Sequence, residues 1–75
     1  MKQLRMSDLP ELSDLVKNLV NKGEYSLLSD PETENFILTM ENYHYLLDKN
    51  GGFIEQITHK FPENAILVEI GGFNG

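Results

Sequence analysis

Seventy-five residues make one domain, and a domain this small buries only about 60% of its unfolded surface. With no cysteine, a disulfide framework and a thiolate metal site are both excluded, so self-association or a partner protein is expected to add the missing stability. Twelve acidic residues against six basic ones leave a charge of −6, which repels nucleic-acid phosphate at long range and favours either a basic protein partner or simply solubility through a solvated acidic surface.

The chain opens "MKQLRM", where Leu4 and Met6 alternate with Gln3 and Arg5 in the manner of a short strand. Ser7 then suits a helix N-cap, with Asp8 at the positive end of the dipole and Pro10 in the first turn. Leu9, Leu12, Leu15, Val16, Leu19 and Val20 recur as one helical stripe, and Gly23 supplies the stop. "YSLLS" at Tyr25 to Ser29 and "NFILTM" at Asn35 to Met40 read as two strands of a hairpin around the acidic turn "DPETE". After Thr39 or Glu41 as cap, Tyr43, Leu46 and Leu47 fall at i, i+3 and i+4, which predicts a short helix ended by Asn50, Gly51 and Gly52.

Beyond that point, Phe53, Ile54, Ile57 and Phe61 fit one helix face, while "FIEQITH" also alternates as a strand, and both readings stand. "FPEN" is a turn, "AILVEI" at Ala65 to Ile70 a strand, and "GGFNG" a flexible tail. The predicted order is β-α-β-β-α with a further short strand, an α+β fold in which helices pack on a small antiparallel sheet. Residues 1–50 form a dimerisation domain in this reading, and residues 51–75 an extension that binds a partner or packs on the chain's own core.

No catalytic constellation emerges, and an enzyme is not expected. His44 and His59 lie fifteen positions apart without a ligand motif, and the serines are accounted for by caps and turns. Neither "NGGF" nor "GGFNG" has the Lys-Ser/Thr of a phosphate loop, and Asp30, Glu32 and Glu34 lack the calcium-loop pattern. The reading assigns no metal and no cofactor. No apolar run approaches the ~20 residues that span a bilayer, and the charged start lacks the apolar core of a signal peptide. A soluble, cytoplasmic protein is the expectation.

"MKQLRMSDLPEL", a helix ending "NKGE", and then "YSLLSD…NFILTMENYHYLL" together resemble the Phd/YefM family of bacterial antitoxins over Met1 to Leu47. Ser7, Gly23, Glu24, Thr39, Glu41, Tyr43, Leu46 and Leu47 occupy the places of that family's caps, its "GE" step and its "leEYxxL" helix. The resemblance implies a homodimer that binds operator DNA, represses its own operon and neutralises a cognate toxin with its C-terminal segment. In this chain the family's basic hairpin turn is replaced by "SDPETE", which leaves Lys2, Arg5 and Lys17 as the basic set for DNA. Phe53, Ile54, Ile57 and Phe61 are the expected anchors for a partner. The alternative expectation is a small acidic inhibitor, of the phage-encoded kind, that occupies the basic groove of a nucleic-acid-binding defence protein.

Overall fold

Phe36, Leu38 and Met40 alternate with Ile37 and Thr39, and this two-residue period sets the middle of the molecule. The computed structural model describes residues 5–58 and 63–71. A 3-10 turn at Met6–Asp8 leads to the helix α1 (Asp14–Val20). Five strands follow, β1 (Tyr25–Ser29), β2 (Phe36–Met40), β3 (Tyr43–Leu47), β4 (Phe53–Ile57) and β5 (Ile66–Gly71). They form one sheet in the order β4-β3-β2-β1-β5, antiparallel throughout. The first four make a meander, and β5 closes onto the free edge of β1.

One face of the sheet carries the main core. Tyr25, Leu27, Phe36, Leu38, Met40 and Leu47 pack there beneath Val16 of α1 and Met6 and Leu9 of the segment before it. The second face carries a cross-strand row that runs Leu67, Leu28, Ile37, Leu46 over four strands, with Ile37 fully buried. Register shifts at Leu27/Leu28 against β5 and at Leu46/Leu47 against β4 bend the two outer strands.

The segment ahead of α1 acts as a strap across the first face. Met6 N donates to Glu69 Oε1 of β5 at 2.8 Å, and Glu11 N donates to the Asn50 carbonyl in the β3–β4 turn at 2.9 Å. Its two ends are thereby fixed to opposite sides of the sheet. Each longer hairpin turn is closed by an aspartate. Asp30 accepts from Glu32 N, and Asp48 Oδ1 accepts from Asn50 N and Gly52 N.

This sheet-dominated architecture corrects the expected β-α-β-β-α arrangement of helices on a sheet. The segment expected to be the second helix is β3, paired residue for residue with β2 from Phe36↔Leu47 to Met40↔Tyr43. Glu41 turns into the left-handed region (φ 52°), and with Asn42 it makes a two-residue hairpin in place of a helix start. Tyr43, Tyr45 and Leu47 can then alternate toward the core face, a pattern that suits the β preference of tyrosine. The first helix is capped by Ser13, whose Oγ accepts from Val16 N, and not by Ser7. Leu9 and Leu12 reach the core from the strap, while Leu15, counted in the helical stripe, is half exposed. Of the expected first strand, residues 1–4 lie outside the described residues, and Met6 belongs to the 3-10 turn. Phe53–Ile57, open between helix and strand, is a strand, and the expected last strand is present as β5.

Candidate protein-binding surface

The β3–β4 side of the sheet presents three aromatic rings in a row. Tyr43 stacks on Tyr45 with ring centroids 6.5 Å apart, and Phe53 tilts against Tyr45 at 6.4 Å. Period-2 alternation puts Tyr43 and Tyr45 on one face of β3, and the Gly51-Gly52 turn returns the chain so that Phe53 lies opposite Leu47. Tyr45 is half-buried against the core, whereas Tyr43 and Phe53 are 51% and 39% exposed. Rings of this type supply contact area at low entropy cost, and anchors of interfaces are enriched in them. Two carboxylates and one lysine lie beside Tyr43. Glu24 and Glu41 line a shallow cleft of about 260 Å³ with Lys22, Gly23 and Met40, and Met40 pairs with Tyr43.

Of the four anchors expected from the sequence, Phe53 and Ile54 are exposed on β4, Ile57 is buried on the second face, and Phe61 lies outside the described residues. The bulge in β4 leaves Ile54 between the pairs Leu46↔Glu55 and Leu47↔Phe53. Sequence reasoning missed Tyr43 and Tyr45 as surface rings because it placed them on a helix. The signal that identifies them is the i, i+2 spacing with Leu47. His44, on the opposite face of β3, holds Thr39 Oγ1 at 2.9 Å from its Nδ1.

The expected basic set is dispersed. Lys2 lies outside the described residues, Arg5 is exposed beside Leu67 and Ile70, and Lys17 lines a different cleft on the helix side. Glu69 borders both clefts. The cleft on the helix side, of about 410 Å³, lies between the strap, α1 and β1, with Met6, Leu9, Leu12 and Val20 as its apolar wall. Tyr25 and Glu69 meet at its base, the hydroxyl donating to Glu69 Oε1 at 3.1 Å. Burial, reinforced by the hydrogen bond and charge of Glu69, pushes the Tyr25 hydroxyl up from 10.0 to about 12. This phenol therefore stays protonated at neutral pH.

Among the described residues, no three His, Asp or Glu side chains converge on a point that could hold a metal ion. No helix among them is long and apolar enough to cross a membrane. No family model, curated protein or solved structure matches the chain, and nothing in these comparisons identifies a Phd/YefM relationship.

Proposed function

We propose that this chain is a non-catalytic binding domain that docks on a basic protein and blocks it, with the Tyr43, Tyr45 and Phe53 row as the contact centre. The observation that supports this reading is the row of Tyr43, Tyr45 and Phe53, with Tyr43 and Phe53 exposed, beside Glu24 and Glu41 on a protein of charge −6. The rings supply short-range affinity, and the excess of acid steers a basic partner from a distance. Neutralisation of a toxin by direct contact and occlusion of a nucleic-acid-binding groove are both cases of this action, and both are served by the same surface. The acidic occluder is favoured, because Arg5 and Lys17 are dispersed and border Glu69.

Affinity capture from the source cell tests the proposal, using the wild type, Tyr43→Ala, Phe53→Ala and the exposed-residue control Leu15→Ala as baits. The expected result is a basic protein held by the wild type and by Leu15→Ala, lost by both ring variants, and released by raised salt. Equal retention by all four baits, or capture that salt leaves unchanged, contradicts the reading.

A further inference from the structure

We propose that β5 is a self-pairing edge, so that two copies of this chain join β5 to β5 in one ten-stranded antiparallel sheet. Strand β5 ends the sheet, and among the described residues nothing pairs with its outer side. Ile66, Leu67 and Ile70 are 58%, 54% and 72% exposed there. Proteins usually guard such an edge with lysine or proline, and Ile66–Gly71 contains neither.

The charge pattern selects the occupant. Glu69 is the single ionisable side chain of β5, and its Oε1 is turned inward to accept from Met6 N and the Tyr25 hydroxyl. A second copy therefore meets a mostly apolar strand whose one carboxylate is held inward and has exposed Arg5 beside it, where the rest of this acidic surface would repel it. A basic partner gains little at this edge, which separates it from the aromatic row on the far side of the sheet.

The register follows from the faces. Leu67 pairs with Leu28 and Ile70 with Ser26, which places both on the second face. A two-fold axis between Val68 and Glu69 sets Leu67 of each copy opposite Ile70 of the other, side chains on the same face. The apolar row Leu46, Ile37, Leu28, Leu67 then runs on into the second copy without a break. A single strand pairing buries less than the ~800 Å² per partner of a standard interface, so a weak dimer with a dissociation constant of roughly 0.1 mM is expected. Both aromatic rows stay free at the far ends, which makes the dimer bivalent toward a partner.

The chain has no cysteine, so engineered thiols report the register cleanly. The test mixes Leu67→Cys with Ile70→Cys under mild oxidation, beside each variant alone, and follows wild type and Ile70→Lys by sedimentation from about 10 µM to about 1 mM. The proposal expects wild-type mass to rise from one copy to two. It expects the mixture to cross-link at least ~10-fold faster than either variant alone, because the like positions lie about 10 Å apart along the strand. Ile70→Lys should weaken association at least ~10-fold while leaving the melting of dilute protein unchanged. A wild type that stays monomeric throughout, cross-linking no faster in the mixture than alone, or undiminished association of Ile70→Lys overturns it.

Discussion

Tyr25 of β1 donates its hydroxyl to Glu69 of β5 across 3.1 Å, and the same carboxylate oxygen accepts Met6 N from the strap. One carboxylate thus ties the start of the described chain to the last strand. Tyr25→Phe keeps the ring and removes the donor, and it should cost about 1 kcal/mol at neutral pH. Glu69→Ala removes the acceptor of two bonds and should cost about 2–3 kcal/mol, read by urea denaturation.

The same pair sets an alkaline limit. A phenol raised from 10.0 to about 12 in the fold is protonated in both states below pH 10, where its stabilisation is complete. Between pH 10 and about 12 the unfolded chain releases the proton first, so stability falls as pH rises. Across that window the wild type should lose about 1–2 kcal/mol more than Tyr25→Phe. Equal losses in the two proteins would count against a bonded, buried Tyr25.

Gly51 separates two kinds of glycine in this chain. Its φ is +95°, and a Cβ there would stand 2.6 Å from Leu9 Cβ, where the strap crosses the β3–β4 turn. Gly51→Ala should therefore cost about 2–3 kcal/mol through strain and collision together. Gly23 has no atom within 4 Å of such a Cβ, and Gly23→Ala should be neutral or stabilising by up to about 1 kcal/mol. Thermal melts of the two variants side by side provide the comparison.

The β2–β3 turn holds a correctable strain. Glu41 sits at φ 52°, a conformation that costs a residue with a Cβ about 1 kcal/mol and that asparagine tolerates. Glu41→Asn should raise stability by about 0.5–1 kcal/mol in chemical denaturation.

How far the sequence discloses this molecule depends on which residues carry the signal. The β1–β2 hairpin is legible because Tyr25–Ser29 and Phe36–Met40 are rich in strand formers and flank a turn with Pro31 and three acids. "YHYLL" is ambiguous by composition, since Tyr43, Leu46 and Leu47 fit a helical face while Tyr43, Tyr45 and Leu47 fit a strand. The outcome was decided outside the segment, by the pairing of all five residues with β2. The helix start was misplaced because "SDL" occurs twice, at Ser7 and at Ser13. Glu11 N is committed to Asn50, a contact across 39 positions that no local pattern announces. The exposed anchors Phe53 and Ile54 were readable as apolar residues, but their ring neighbours became visible only once β3 was a strand.

The proposed binding surface is tested most directly by nuclear magnetic resonance titration of the isotope-labelled chain with the captured basic protein. Perturbed signals are predicted to cluster at residues 41–45 and 53–56, around the Tyr43, Tyr45 and Phe53 rings, and to vanish in Phe53→Ala. Perturbations confined to α1 or to β5, with the three rings unmoved, would contradict the assignment of that surface.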